Sequence, residues 1–333
     1  MAYLDPSIAR ARECREAMDG SLRTSIRKVL GRDGPTGDLD GPRKRPNDLL
    51  DYGAYFDLTL KLADGSAVSD AAKEAARAYL DERFAADGLF GDSMDARPVI
   101  SNLSADCYSD VEIARMQRWW DMERESAIEL AAATPEEFAR TSEAIGQALD
   151  HLEAADPELY GETCALVNEI VLAHPDGADF GGITSFGLWG AFTLNARNFN
   201  IWPTCYGKIV HEAGHNLLFA YARQNPLVSD DPASRAYSHI RDEDRPFDGI
   251  FHAAFVSARE AYAFDRLLVR NDREAILSDE ECALIEVQLT SSVNGFWGCA
   301  ETVRRDGHVT ALGDEILAEC EAYMRENFSF ADA

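Results

Sequence analysis

Residues 208–221 read KIVHEAGHNLLFAY, and no other run constrains the fold as tightly. His211 and His215 stand four residues apart in an apolar stretch free of proline. On an α-helix that spacing sets them about 40° apart and one turn along, so both imidazoles reach one point in space. Glu212 lies about 100° round from His211, within reach of a water bound at that point. HEAGH is thus an HExxH pattern, a metal-binding signature when it sits on a helix. Leu217, Leu218 and Phe219 continue the helix as a core element.

Two histidines rarely hold a catalytic ion alone, and a third protein ligand is expected. The next apolar helix, GIFHAAFVSAREAYAFDRLLV, offers three candidates. Asp248 sits just before it, His252 near its start, and Glu260 two turns further on. His252 and Glu260 are too far apart on one helix to join the same ion easily. Residue pattern alone leaves the choice open. With Zn and Glu260 as third ligand, the chain reads as a zinc metallopeptidase. Glu212 is then the general base that activates a zinc-bound water against a peptide carbonyl.

The remainder reads as mostly helical. Apolar spacing predicts helices over about 5–30, 48–63, 68–86 and 109–131. Thr134, Pro135 and Glu137 form a helix start with a capping box. Asp156 repeats the device for a helix to about residue 173. GRDGPTGDLDGPRKRPN, residues 31–47, reads as a loop, and ARPVISNLS contains a short strand. Residues 176–199 are rich in glycine, aromatic and β-branched residues and predict one or two strands or a hairpin. Such an extended edge binds a peptide by strand addition, with Trp189, Asn195, Asn198 and Trp202 as candidate cleft residues. A polar loop is expected over 222–248, and two closing helices over about 278–305 and 313–327. The domain reading is an N-terminal helical region over 1–100 and an HExxH catalytic domain over 101–333.

Charge excludes several classes of partner. The 333 residues carry 59 acidic and 32 basic side chains, a net charge of -27. That surface repels nucleic acid and anionic membranes and favours a basic peptide segment. No stretch approaches the roughly 20 apolar residues of a membrane helix, and the N-terminus lacks an apolar signal core. The seven cysteines are scattered without a CxxC pair, as in a reduced cytoplasmic protein, and a cysteine zinc site is not expected.

The segment YSHIRDEDRPFDGIFHAAFVSAREAYAF, residues 237–264, chooses between the ligand sets. It resembles a family first labelled HExxH-motif peptide-modification proteins and later assigned as 2-oxoglutarate-dependent, HExxH-type peptide β-hydroxylases. Tyr237, Ser238, Arg241, Asp244, Arg245, Pro246, Gly249 and His252 fit the family's loop after the HExxH helix. His239 and Ile240 stand where the family usually shows Pro-Trp, and Phe247 replaces a common leucine. The resemblance covers about residues 180–330.

The resemblance implies His211, His215 and His252 as metal ligands. It implies Fe(II) as the metal and 2-oxoglutarate as cosubstrate, with Arg245, and then Arg241, clamping the far carboxylate by a bidentate fork. Three protein ligands leave open positions for cosubstrate and oxygen. Glu212 then becomes a supporting residue. The implied reaction is hydroxylation of the β-carbon of a residue in a ribosomally made peptide, recognised with a leader segment, in natural product biosynthesis. The expected fold is mainly α, within α+β: a zincin-like helical core with a small antiparallel sheet or hairpin before the HExxH helix. A non-catalytic metal-binding or peptide-recognition protein is the third reading, and the intact HExxH argues against it.

Overall fold

The computed structural model describes residues 3–31, 48–61, 65–85, 96–122, 128–176 and 180–328. Among the described residues there are ten α-helices and seven strands, so the protein is mainly helical with a small sheet. Most of the loop expected at 31–47 lies outside the described residues. The chain divides into two compact units. One comprises Ala9–Ala144 and Gly161–Ile201; the other comprises Met1–Ile8, Ile145–Tyr160 and Trp202–Ala333. Neither has a boundary near residue 100.

The first unit opens with α1 (Ile8–Val29), whose buried stripe of Ala11, Arg15, Met18, Leu22 and Ile26 has helical spacing. Then come α2 (Asp48–Thr59), α3 (Asp70–Ala85), β1 (Val99–Asn102) and α4 (Asp110–Asp121). Ser109 caps α4 in a capping box with Glu112. The helix expected to run to 131 ends at Asp121, and the chain enters β2 (Leu130–Ala132). Next are α5 (Pro135–Ala155), begun by the Thr134–Glu137 box as expected, and α6 (Pro157–Leu166), whose first turn is capped by Asp156; the stretch Ile145–Tyr160 of these two helices is counted with the second unit. α6 stops seven residues short of its expected end. Glu169–Pro175 forms β3 instead. Ile170–Ala173 are all buried, so this strand shows no alternation and reads in sequence like more core helix.

β3 is the centre of the sheet. It pairs in parallel with β1 and with β5 (Ala191–Asn195), and antiparallel with β2. β4 (Gly182–Ile183) pairs antiparallel with β5. The expected hairpin-like pairing before the HExxH helix is therefore present, but the sheet around it is mixed, not antiparallel. Two buried arginines tie the unit together. Arg15 Nε donates to Ala165 O at 3.0 Å and its Nη2 to Leu166 O at 2.7 Å, covering open carbonyls at the end of α6. Asp57 accepts from Arg115 Nε at 2.9 Å, Arg118 Nη2 at 2.7 Å and Trp119 Nε1 at 3.2 Å.

The second unit carries α7 (Trp202–Ala222), β6 (Arg235–Ser238), β7 (Glu243–Pro246), α8 (Phe247–Glu274), α9 (Asp279–Asp306) and α10 (Ala311–Asn327). β6 and β7 form an antiparallel hairpin inside the expected polar loop. α8 packs against α7, α9 and α10. Its apolar face is nearly continuous from Ile250 to Leu267. The Ser278–Glu281 capping box starts α9, and Glu281 Oε1 also accepts from Trp202 Nε1 at 2.7 Å.

Candidate metal centre

Two glycines let α7 approach α8. A Cβ on Gly214 would stand 3.1 Å from Val256 Cγ1, and one on Gly207 would stand 2.9 Å from Phe264 Cε2. These glycines lie seven residues apart on α7, so they share one face, and His211 and His215 lie on that face with them. As residue numbers fall along α7, from 215 to 211 to 207, their partners on α8 rise, from 252 to 260 to 264. The helices therefore run antiparallel, and each motif histidine meets a different residue of α8.

His215 Nδ1 lies 3.1 Å from His252 Nδ1, with the rings nearly parallel at 18° and their centroids 5.4 Å apart. The His211 and His215 rings meet edge to face with centroids 5.0 Å apart. His211 Nδ1 lies 3.0 Å from Glu260 Oε1, and Ser292 Oγ of α9 donates to Glu260 Oε2 at 3.0 Å. Asp248 Oδ2 is 4.0 Å from His252 Nε2, beyond hydrogen-bond range. The three predicted histidines and Glu260 thus share one stretch of the α7–α8 seam. Among the described residues, no three His, Cys, Asp or Glu side chains form a ready metal-binding group.

The electrostatics favour neutral imidazoles. Burial holds His215 well below the ordinary histidine range, and His211, His252, Lys208 and Arg241 push in the same direction. Burial also lowers His252, against the opposing pull of Asp248. Neutral imidazole is the form that ligates metals. Burial alone would raise the Glu260 carboxyl, but His211, Lys208 and Ser292 outweigh it and hold it below its ordinary value. Two neutral histidines, His215 and His252, beside a carboxylate suit a divalent transition metal. Two histidine nitrogens on one ion, with bonds of about 2.0–2.1 Å, stand roughly 3.0–3.4 Å apart, and the His215–His252 pair meets that spacing. With Nδ1 of His211 engaged by Glu260, Nε2 is its remaining donor. The His215–His252 pair is thus compatible with two ligands of one ion, while the described residues form no ready group of three.

The other predicted residues divide. Glu212 is buried and ion-paired to Lys208 Nζ at 2.9 Å, one turn back on the same helix. Sequence reasoning passed over this lysine, although its i,i+4 spacing to Glu212 was a signal. Arg245 is tied to Glu243 Oε1 at 3.2 Å within the hairpin. The Arg241 side chain makes no hydrogen bond or ion pair among the described residues, and its charge is felt at His215.

The expected peptide-binding edge is not open. β5 is buried throughout and pairs with β3 on one side and with β4 over Thr193–Leu194 on the other. Trp189 is fully buried under the Arg15 guanidinium, 4.5 Å from its centroid. Asn195 Nδ2 and Asn198 Nδ2 both donate to Phe180 O. Trp202 stacks on His151 at 3.9 Å besides its bond to Glu281. Trp189, Asn195 and Trp202 are buried, whereas Asn198 is exposed.

No protein-family model matches the chain, and no curated protein matches it. Among the described residues no helix is long and apolar enough to cross a membrane.

Proposed function

We propose that the protein is an Fe(II)- and 2-oxoglutarate-dependent hydroxylase acting on the β-carbon of a residue in a peptide. The observation that carries this reading is the approach of His252 to His215, 3.1 Å between ring nitrogens. It supports a three-histidine ligand set built from HEAGH and the helix after it, on a zincin-like pair of helices. Fe(II) with 2-oxoglutarate would supply oxygen activation and transfer of one oxygen atom to an unactivated carbon.

The chain's own residues then have definite roles. His215 and His252 present neutral nitrogens because burial keeps them unprotonated. Glu260 orients the His211 ring through Nδ1, the outer-shell role expected of a carboxylate beside a ligand histidine. Glu212 is held by Lys208 and acts as a supporting residue. Arg241 is free to meet the far carboxylate of the cosubstrate as a fixed cation. The net charge of -27 favours a basic peptide or leader segment. Seven free cysteines suit a reducing, cytoplasmic setting.

One contact favours a second reading. Glu260 touches His211 at 3.0 Å, as the glutamate of a zinc peptidase would if it completed the ligand set. In that reading Glu212 must leave Lys208 to serve as base. The experiment supplies Fe(II), oxygen and 2-oxoglutarate with candidate basic peptides, and follows succinate and peptide mass. Succinate with a gain of one oxygen atom is expected. Cleavage of the peptide with zinc, and no oxygen gain with iron, overturns the hydroxylase.

A further inference from the structure

The turn between β6 and β7 is seated on α9 and α8. Within it, Arg241 N and Asp242 N both donate to Ser238 O, at 3.2 and 2.9 Å, and Asp242 takes a positive φ of 55°. The Tyr237 hydroxyl donates to the Asp242 carboxylate. Ile240 packs over Gly295, where a Cβ would stand 3.2 Å from its Cδ1 and Cγ1 and 3.3 Å from Ser257 Oγ. His239 packs over Gly298, where a Cβ would stand 2.7 Å from its Cγ and 2.8 Å from its Cβ. The turn can lie this close to α9 only because both positions lack a side chain.

The seat borders the histidine cluster. Gly295 is one helical turn beyond Ser292, which bonds Glu260, and Ser257 is one turn before Glu260 on α8. Ile240 therefore sits where α8 and α9 meet, one turn from the Glu260–His211 contact. Arg241 is the next residue. We propose that Gly295 and Gly298 are positioning residues, which hold the turn and so place Arg241 to bind the far carboxylate of a 2-oxo dicarboxylate at the histidine cluster. The inference rests on the hydroxylase reading and adds what fixes its anion subsite. It also accounts for His239 and Ile240, whose side chains fill the space above the two glycines.

The test titrates 2-oxoglutarate into the Fe(II)-loaded full chain without oxygen, by calorimetry, with Fe(II) affinity measured in parallel. The arms are the native chain, Gly298→Ala, Gly295→Ala, Arg241→Ala and Arg241→Ala/Gly298→Ala. Loss of a charge-assisted contact predicts an affinity for 2-oxoglutarate lower by about ten- to hundredfold in Arg241→Ala. Gly298→Ala should approach that loss, and Gly295→Ala, which crowds Ile240 less, should fall between. Fe(II) affinity should be unchanged in all arms. In the double variant the losses should not add, because the seat acts through Arg241. Gly295→Ala stands in if Gly298→Ala does not fold. Native binding with unaltered affinity in both glycine variants, or additive losses in the double variant, overturns the seat. A native chain that binds Fe(II) but not 2-oxoglutarate overturns the hydroxylase reading, and the seat with it.

Discussion

Gly207→Ala should weaken metal binding more than it weakens the fold. The new Cβ would stand 2.9 Å from Phe264 Cε2 and closer still to Cζ. Resting carbon contacts are about 3.5–4.0 Å, so α7 and α8 must part locally by about 1 Å. Phe264 is 1% exposed and has nowhere to turn. Overpacking of this kind costs about 1–3 kcal/mol. Alanine recovers about 1 kcal/mol of helix propensity. The net loss is about 0–2 kcal/mol, which a domain of ordinary stability survives. His211 lies one turn further along the same face. Adding 1 Å to its 3.0 Å contact with Glu260 gives about 4 Å, too long for a hydrogen bond. Loss of an orienting partner lowers metal affinity about ten- to hundredfold. Chelator competition for Fe(II), run beside urea unfolding, reads both quantities. Phe264→Leu in the same chain should relieve the crowding and restore affinity. Unchanged affinity in Gly207→Ala with a native-like urea midpoint refutes the idea that helix spacing sets the centre. So does an equal loss in the relieved double variant.

Three further outcomes follow from named contacts. His252→Ala should abolish tight Fe(II) binding, whereas Glu260→Ala should lower it only about ten- to hundredfold; the reverse order in the same competition assay would favour Glu260 as ligand. Asp57→Asn should cost about 3–5 kcal/mol in urea unfolding, because it leaves Arg115 buried without its carboxylate. Glu281→Gln should cost about 1 kcal/mol at pH 7. The Glu281 carboxyl is lowered by the Ser278 backbone N–H, with Trp202 assisting, so its stabilisation is full above the unfolded-state value of about 4.3 and is lost as pH falls through the folded-state value. The gap between variant and native chain in urea midpoint should therefore close in acid, and a gap that persists at low pH would exclude this cause.

The long helices were legible because each carries an apolar stripe and a cap. The expected 278–305 and 313–327 correspond to Asp279–Asp306 and Ala311–Asn327. β3 was not legible. Its buried run Ile170–Ala173 lacks the alternation that marks a strand, and it follows α6 with only a two-residue break. The β6–β7 hairpin was hidden for the opposite reason. RAYS and EDRP are polar and carry no core pattern, and the turn between them is held by glycines more than fifty residues away on α9.

The same limit explains why the sequence left His252 and Glu260 as rivals. Spacing on one helix says what that helix can offer, and it says nothing about register against another. His211 and His215 are separated by about 6 Å along α7, and His252 and Glu260 by about 12 Å along α8. Two residues that cannot share an ion from one helix can still each serve a different histidine. In the antiparallel register His252 reaches His215 and Glu260 reaches His211. In the proposed reading the rivalry becomes a division of labour, with one residue offering a donor nitrogen and the other fixing the ring of a neighbouring donor. Glu212, the general base of the peptidase reading, is ion-paired to Lys208. What Gly207 and Gly214 contribute is therefore chemical as well as steric. By admitting α8 so closely, they bring its residues within reach of both motif histidines.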